Sequence, residues 1–197
     1  MSEPEVAGSD IYLRPELRFE QGKKYMVCAK SGHGKSSLLN FIYGINKEYE
    51  GTIEMLSENE EGKKSLGTHI LSYMFQDLCL FPELTAIENV QLKNDLTNFK
   101  SDSEIEKMLT ALLPAEKRHQ PVASLSLGQQ QRVAAVRALC QPMQFLMMDE
   151  PFSHLDKETA QKVADMVVAE VDRQGAGLIV TALDPIEMLP FDIKLNL

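Results

Sequence analysis

The hydrophobic pattern alternates between short apolar runs and longer amphipathic stretches. Apolar runs at residues 25–29, 145–148 and 177–181 predict buried strands. Helical periodicity predicts helices at residues 38–43 and 156–171 and through most of residues 84–140. Within that last stretch, Ser101 and Glu104 have the spacing of a capping box, and Pro114 ends the helix that follows. Because strands alternate with helices, the sequence predicts an α/β fold with a mostly parallel sheet.

Further alternating segments predict strands outside this core. Residues 11–13 and 17–19 alternate like short edge strands, and residues 52–56 and 69–74 resemble the two arms of a hairpin. We therefore expect an N-terminal antiparallel β region. The whole chain, residues 1–197, is expected to form one domain with a helical subdomain inserted at about residues 84–140.

Composition narrows the class of protein. The 197 residues are 44% hydrophobic and 25% charged, as in ordinary globular proteins, and the net charge of −9 opposes a nucleic-acid partner. The apolar runs are too short to cross a bilayer, and the acidic N-terminus shows no secretory signal, so a cytoplasmic location is expected. The three cysteines, Cys28, Cys79 and Cys140, are expected to be reduced thiols in the core.

A glycine-rich loop, A-K-S-G-H-G-K-S-S, lies between the first buried strand and the first helix. Gly32 and Gly34 allow the backbone to curl, so that its N–H groups converge on phosphate oxygens. Lys35 supplies a positive charge for the outer phosphates, and the Ser36 hydroxyl is placed to bind Mg²⁺. The strict pattern has glycine at the position of Ala29. The alternative interpretation is a glycine turn with a solvated lysine, but the flanking strand and helix favour nucleotide binding.

Two further motifs lie downstream. An apolar strand ends in Asp149 and Glu150, which suits one carboxylate that supports Mg²⁺ and one that polarises water; alternatively, a strand simply ends in acids. The segment L-S-L-G-Q-Q-Q-R places Ser126 and Gly128 at a helix N-terminus, a second potential anion site. For this segment in isolation, the default interpretation is that Ser126 is only a helix cap and the glutamines form a solvated face.

In this order, the motifs resemble those of the ATP-binding cassette ATPases over essentially the whole chain. The glycine loop resembles their Walker A motif, Gln76 in Y-M-F-Q-D their Q-loop, and L-S-L-G-Q-Q-Q-R their signature. F-L-M-M-D-E-P resembles Walker B, and S-H-L-D at residues 153–156 resembles the D-loop. The resemblance implies a P-loop NTPase core.

The resemblance also implies ATP and Mg²⁺ as cofactors and a role for each matching residue. The phosphates would be held by Ser31, Gly32, His33, Gly34, Lys35, Ser36 and Ser37. Ser36, Gln76 and Asp149 would approach the metal, and Glu150 would be the general base, with Gln76 and Lys35 assisting catalysis. Ser126, Gly128 and Gln129 would contact the γ-phosphate bound to a partner subunit, with Asp156 communicating across the interface.

Partners and location follow from the same resemblance. Two cassettes, identical or related, would close head to tail, and a membrane-spanning transporter subunit would hold the chain at the inner face of the membrane. Residues 75–90 resemble transporter ATPases of the lipoprotein-release and macrolide-export type, whereas D-E-P-F-S at residues 149–153 resembles importers, so no substrate is assigned. A set of apolar residues beside Gln76 would either line a groove for the membrane subunit or fill the helical core: Leu78, Leu80, Phe81 and Leu84.

The sequence departs from the family pattern in two places. Ala182 and Leu183 follow the last core strand where the family has a histidine, and His154, a variation within the D-loop, is not counted as a replacement. Tyr12 is the one nearby candidate to stack on adenine, but it is close to the loop and fits a strand equally well. The preferred function is an ATPase subunit that drives a transporter. The alternatives are a slow or non-hydrolysing cassette that acts as an ATP-gated regulatory clamp, and a non-transport cassette ATPase.

Overall fold

A parallel β-sheet forms the centre of the computed structural model, which describes residues 9–55 and 71–197. Its five strands are β1 (Lys24–Cys28), β2 (Leu71–Met74), β3 (Phe145–Asp149), β4 (Gly177–Ala182) and β5 (Ile193–Asn196). They are arranged in the order β2-β3-β4-β1-β5, and every pair of neighbouring strands is parallel. Because β4 lies between β3 and β1, all six of its residues are buried.

Five α-helices accompany the sheet in the described residues. They are α1 (Lys35–Tyr43), α2 (Ala86–Asn94), α3 (Asp102–Leu112), α4 (Leu127–Ala138) and α5 (Lys157–Gln174). Capping boxes begin α2, α3 and α4, and Asp156 caps α5 by accepting a hydrogen bond from the backbone N–H of Thr159. In contrast, α1 begins at Gly34 without a side-chain cap, so its first N–H groups remain available.

Hydrophobic side chains pack on both faces of the sheet. Along β3, Leu146 and Met148 face a large core that includes residues of α2 to α5, whereas Met147 faces a smaller core with residues of α1. Along β4, Leu178 belongs to the first core and Ile179 to the second. This two-residue alternation is the geometry of a strand buried on both faces, and it explains why these strands are apolar throughout.

The α/β fold with a parallel sheet and intervening helices is confirmed. The observed bounds of β1, β3 and β4 lie within one residue of the predicted strands, and the predicted helix at residues 156–171 is α5 with Asp156 as its cap. The Ser101–Glu104 capping box is present, and α3 ends at Leu112, before Pro114. The last strand, β5, was not predicted from the sequence.

The predicted short strands near the N-terminus are wrong. Residues 11–13 form a turn, because the Ser9 hydroxyl accepts hydrogen bonds from the backbone N–H groups of Ile11 and Tyr12. Residues 17–19 are also outside any strand, and Ile11, Tyr12, Leu17 and Phe19 pack in or against the smaller core, whereas Leu13 is exposed. The alternation therefore reflects burial of an irregular segment.

Of the predicted hairpin, the second arm is confirmed as a strand, because its residues 71–74 form β2, but the antiparallel pairing is not. Residues 52–55 contain no strand, and within the described part of the chain β2 pairs with β3, in parallel. The remainder of the hairpin, residues 56 and 69–70, lies outside the described residues.

The cysteines occupy three different environments. Cys140 is buried and Cys28 is half-buried, but Cys79 is exposed, which corrects the expectation that all three lie in the core. All three are free thiols. Among the residues that the structure describes, no helix combines the length and apolar character needed to cross a membrane.

A buried ion pair connects the segment before α3 to α5. The ammonium group of Lys100, just before α3, lies 2.7 Å from a carboxylate oxygen of Glu170, and the two side chains are only 5% and 8% exposed. Arg173 donates a second charged hydrogen bond to Glu170, and Phe99 lies under both cations, 5.1 Å from each. Burial pushes the pKa of Glu170 upward, but hydrogen bonds from Arg173, Lys100 and Gln174 outweigh it, so the pKa is lowered overall.

Replacing Glu170 by glutamine should lower the free energy of unfolding by about 3 kcal/mol at pH 7, because the buried Lys100 would keep only the more distant, exposed carboxylate of Glu104, at 3.9 Å, as an opposite charge. A carboxylate with a lowered folded-state pKa contributes stability above its ordinary pKa, 4.5 here, and loses it as the pH falls through the folded value. The variant should therefore lose less stability than the wild type below that pH.

Urea unfolding at neutral and acidic pH measures both effects. Glu158→Gln is the control, because Glu158 pairs with Lys162 on the surface, and its loss should change stability by less than about 1 kcal/mol. Equal stability of Glu170→Gln and the wild type at pH 7 would show that the buried pair does not stabilise the fold.

Candidate functional site

The candidate site lies at the carboxyl edge of the sheet. Because all five strands are parallel, the segments that follow them emerge on the same edge. The glycine loop follows β1, Gln76 follows β2, and Asp149 is the last residue of β3 with Glu150 directly after it. Thr181 and Ala182 end β4. The fold therefore brings these four segments together, as the sequence predicts.

The glycine loop has the backbone conformation that its sequence predicts. Gly32 and Gly34 have φ angles of 80° and 86°, in the left-handed region that a side chain disfavours. Gly34 leads directly into α1, whose free N–H groups form the positive end of the helix dipole. Ser31 and Ser37 are exposed in and just after this loop, and His33 is half-buried. The loop is suited to binding an anion.

Lys35 is buried at the centre of the site. Its ammonium group donates hydrogen bonds to the carbonyl oxygens of Ala29, at 2.9 Å, and Lys30, at 3.2 Å. It also lies 3.0 Å from a carboxylate oxygen of Glu150, and the two side chains are 6% and 12% exposed. Ala29 thus contributes its carbonyl group to this arrangement, and its N–H donates to the carbonyl of Ala182 at 3.2 Å.

Oxygen-bearing side chains occur beside Lys35. The Ser36 hydroxyl donates to the side-chain oxygen of Gln76 at 3.1 Å, so the first helix and the segment after β2 meet here. Asp149 is buried, and one of its carboxylate oxygens accepts a hydrogen bond from the Thr181 hydroxyl. A hydroxyl, an amide oxygen and a carboxylate are the hard oxygen donors that Mg²⁺ prefers, so these residues fit that ion.

Glu150 has an unusual backbone conformation. Its φ angle is 48°, which is strained for a residue with a side chain. Its N–H donates to both the carbonyl and the hydroxyl oxygen of Thr181, each at 3.2 Å, and its carbonyl accepts from the Gln131 side chain at 3.1 Å. These bonds hold Glu150 with its carboxylate against Lys35. The contacts of Thr181 and Gln131 with Glu150 could not be predicted from the sequence, because only the folded backbone brings these residues together.

The signature residues form a second group. Ser126 and Gln129 make a reciprocal capping box at the start of α4, with hydrogen bonds of 3.3 and 3.0 Å. Gly128 lies against the D-loop, because an added Cβ atom would come within 2.7 Å of the carbonyl oxygen of His154. Gln131 joins this group to the first one, since its side chain bonds both to Glu150 and to the N–H of His154, at 3.2 Å.

The positions at which the sequence departs from the family pattern have the following surroundings. The Ala182 side chain, at the end of β4, is a buried methyl group that cannot hydrogen-bond. His154 is exposed, and its Nδ1 atom lies 2.8 Å from the Ser153 hydroxyl. Tyr12 lies in a turn and not in a strand, its ring packs on the smaller core, and burial raises its pKa.

A groove with an aromatic floor lies beside the segment that carries Gln76. It has a volume of about 270 Å³ and is bordered by residues of α1, β2, α2 and α4, including Tyr43, Tyr73, Phe75, Phe81, Leu92 and Leu96. Phe81 is 54% and Leu96 70% exposed. Of the four predicted groove residues, Phe81 borders the groove, Leu78 is buried in the large core, Leu80 packs against that core and Leu84 is half-buried.

Comparison with known proteins gives a consistent result. A family model described as "ABC transporter" matches residues 13–153. The lipoprotein-releasing system ATP-binding protein LolD of Hydrogenovibrio crunogenus is 32% identical over 190 residues, which cover 92% of this chain and 80% of that protein. The uncharacterized ABC transporter ATP-binding protein YbbA of Escherichia coli K12 is 34% identical over 179 residues, which cover 86% and 78%.

Two of the solved structures that resemble this chain are of an ABC transporter cassette. The dimeric structure of the bacterial ABC transporter cassette MJ0796 has a TM-score of 0.76 and 27% sequence identity, and it covers 91% of this chain and 84% of that one. A post-hydrolysis dimer of the same cassette bound to ADP and Pi has a TM-score of 0.71.

The glycine loop before α1 and the acidic end of β3 define a P-loop ATPase that uses ATP with Mg²⁺. More narrowly, the chain belongs to the ABC transporter family, as an ATP-binding cassette. The family resemblance, the fold class, the ATPase activity and the cofactors expected from the sequence are thereby confirmed. The roles of individual site residues remain predictions.

The Thr181 hydroxyl should stabilise the end of β3. Thr181→Val keeps the shape of the side chain but removes the donor to Asp149 and one acceptor of the Glu150 N–H. Because both partners are at a buried site, the free energy of unfolding should fall by about 1–3 kcal/mol, measured by urea unfolding.

Thr110→Val is the matched control: the exposed Thr110 hydroxyl donates to the carbonyl of Glu106 in its own helix and accepts a hydrogen bond from Arg118, and because both bonds are exposed to water its loss should cost less than about 1 kcal/mol. If the two variants unfold at the same urea concentration, the hydroxyl bonds of Thr181 do not stabilise the site.

Proposed function

We propose that this cassette powers a membrane transporter through ATP-dependent closure of two cassette subunits, each completing the other's nucleotide site. The observation that supports this most is the exposed start of α4. Ser126 and the apolar Leu127 face solvent there, and the hydrogen bonds of Ser126 and Gln129 satisfy each other within α4. A helix N-terminus beside an exposed apolar residue is suited to an anion on another subunit.

The domain arrangement supports the same proposal. The stretch from α2 to α4 lies between β2 and β3 in the chain, and its apolar residues join the large core on one face of the sheet. We therefore regard residues 1–197 as one cassette domain with a helical subdomain at about residues 84–140. The dimeric architecture of the MJ0796 cassette is a precedent for pairing two such domains, identical or related.

Each of these residues at the carboxyl edge of the sheet then has a defined role in ATP binding or hydrolysis. Lys35 and the N–H groups of residues 31–37 bind the phosphates of ATP, and Ser36, Gln76 and Asp149 hold the metal. When bound, Mg²⁺ neutralises phosphate charge and polarises the phosphoryl group. Glu150 orients the attacking water and accepts its proton.

The Lys35–Glu150 ion pair connects the binding of ATP to the activation of water for hydrolysis. The same ammonium group cannot serve Glu150 and the phosphates equally, because at 3.0 Å it already forms an ion pair within a buried site. Phosphate oxygens compete for Lys35, and the Glu150 carboxylate then becomes available to water. Ser126, Gly128 and Gln129 contact the γ-phosphate bound to the partner subunit, and Asp156 contributes to the interface.

The groove beside Gln76 is the proposed docking surface for a membrane-spanning subunit. Phe81, Leu92 and Leu96 expose apolar surface there, and such a patch usually marks a binding surface. One relative is named as part of a lipoprotein-releasing system, which supports the transporter interpretation. Docking through this groove would hold the chain at the inner, cytoplasmic face of the membrane. The net charge of −9 argues against a cassette that acts on nucleic acid.

Ala182 favours one alternative, a slow cassette that acts as an ATP-gated regulatory clamp. A methyl group at the end of β4 contributes no hydrogen bond to a developing phosphate charge. A clamp would bind ATP and dimerise without rapid turnover, so hydrolysis and dimerisation must be measured in the same samples.

The Glu150→Gln variant tests the main proposal. Loss of the general base should lower turnover by at least about 100-fold, while ATP binding is retained and an ATP-dependent dimer accumulates. Phosphate release, ATP binding and size-exclusion chromatography with Mg-ATP give the three readouts. The exposed Glu187 offers a control, Glu187→Gln, which should keep turnover within about twofold of the wild type.

Hydrolysis by Glu150→Gln at the wild-type rate would rule out the assigned base. No turnover by either protein, with ATP still bound, would favour the regulatory clamp or a subunit that needs its membrane partner.

A histidine introduced at position 182 should raise turnover. One well-placed donor to the transition state is worth at least about tenfold, so Ala182→His should increase kcat by that factor if the position faces the γ-phosphate. Ala182→Leu fills the space without a donor and should give no increase. If turnover is unchanged in Ala182→His, another residue already fills this role.

A further inference from the structure

A strained turn follows Gln76 in the segment between β2 and α2. Leu78 and Cys79 have φ angles of 61° and 46°, so two consecutive residues with side chains adopt the left-handed conformation. This conformation is unfavourable for either residue, and neither is glycine or asparagine. Such strain persists only where the surrounding structure imposes it.

The bonds within the turn account for part of that constraint. The N–H of Leu78 donates to the carbonyl of Phe75 at 3.0 Å, and the N–H of Cys79 donates to the carbonyl of Asp77 at 2.8 Å. The Leu78 side chain is buried in the large core. The carbonyl groups of Leu78 and Cys79, however, point away from these bonds and need donors from elsewhere in the molecule.

Arg137 supplies both donors. One terminal nitrogen of its guanidinium group donates to the carbonyl of Cys79 at 2.6 Å, and the other donates to the carbonyl of Leu78. Within the described part of the chain, the Arg137 side chain makes no other hydrogen bond and no salt bridge. A planar fork that spans two adjacent carbonyl groups is a geometry that arginine provides and lysine does not.

The location of Arg137 links the turn at Leu78 and Cys79 to the signature helix and to Gln76. It lies in the last turn of α4, the helix that begins with the signature residues. The turn that it holds begins next to Gln76, whose side-chain oxygen accepts the Ser36 hydroxyl at 3.1 Å. A shift of the turn would therefore move Gln76 relative to Ser36 and α1.

We propose that Arg137 is a positioning residue for ATP hydrolysis: by clamping the left-handed turn at Leu78 and Cys79, it holds Gln76 at the metal position. This inference rests on the proposed function, because it takes Gln76 and Ser36 as metal-binding residues. Arg137 itself contacts neither nucleotide nor metal. Its effect on hydrolysis passes entirely through the backbone of the turn.

The first measurement reports on the turn without requiring activity. Burial and the hydrogen bond to Asp77 raise the pKa of the Cys79 thiol to about 11, so the thiol reacts slowly at pH 8. Cys79 is already exposed, so its slow reaction depends on the hydrogen bond to Asp77 within the turn. In Arg137→Ala the freed turn should break this bond and speed labelling of Cys79 by a soluble disulfide reagent by at least tenfold, whereas loss of the Arg137 charge alone would raise the thiol pKa and slow labelling. Labelling is followed on the Cys79 peptide by mass spectrometry. Labelling of the buried Cys140 serves as the internal check that the fold is intact.

The second measurement reports on function. At saturating ATP, Arg137→Ala should raise the Mg²⁺ concentration for half-maximal hydrolysis at least about fivefold and lower kcat, as Gln76→Ala should also do. Arg137→Lys, which reaches one carbonyl group, should fall between Arg137→Ala and the wild type. Adding Cys79→Gly to Arg137→Ala should recover part of the loss, because glycine adopts a left-handed φ without strain.

The control is Arg118→Ala. Arg118 also bonds through its guanidinium group within the helical region, to Glu106 and Thr110, but it does not contact the turn. It should change neither the Mg²⁺ requirement nor the labelling of Cys79.

Three results would overturn the proposal. Unchanged Cys79 labelling in Arg137→Ala would show that Arg137 does not hold the turn. Faster labelling with an unchanged Mg²⁺ requirement, while Gln76→Ala shifts that requirement, would reduce Arg137 to a structural residue. An unshifted requirement in Gln76→Ala itself would identify the failure as one of the proposed function, since the metal role of Gln76 would be wrong.

Discussion

The ammonium group of Lys35 is buried, and without a partner it would lower the free energy of unfolding by several kcal/mol. The carbonyls of Ala29 and Lys30 and the carboxylate of Glu150 compensate that charge. To meet this requirement, the loop after β1 must curl back on itself, and the residue after β3 must turn into a left-handed conformation. The parallel sheet makes both possible, because it brings these two strand ends to one edge.

How much of this could be predicted from the sequence depends on whether the information is local. The glycine loop, the helix caps at Ser101 and Ser126 and the strand that ends in Asp149 depend on neighbours within a few residues, and their positions were predicted correctly from the sequence. The segment at residues 11–13 alternates as a strand does, yet its neighbours in space are a core and the Ser9 hydroxyl, so it forms a turn. Tertiary burial overrides a two-residue pattern in so short a segment.

In the candidate site, too, contacts between residues far apart in the sequence could not be predicted from local patterns. Gln76 and Ser36 are 40 positions apart, and their contact was expected only from the family resemblance. Thr181, Gln131 and Arg137 were not identified, because each acts on the backbone of a distant residue and no spacing in the sequence encodes that. The positive φ angles at Leu78, Cys79 and Glu150 carry no glycine signal either. Strained conformations of this kind are typical of functional sites.

Two of the three hydrogen bonds that the Gln131 side chain makes within the described residues have a consequence for the proposed dimer as a whole. This one amide bonds both to the backbone of Glu150 and to the D-loop beside Gly128. In the proposed closed pair, Glu150 belongs to the chain's own nucleotide site and Gly128 to the site completed with the partner, so a rearrangement that breaks one of these bonds would change the free energy of the other site. By thermodynamic linkage the influence is reciprocal, so the two nucleotides of a closed pair would bind cooperatively, each changing the affinity for the other by the same factor.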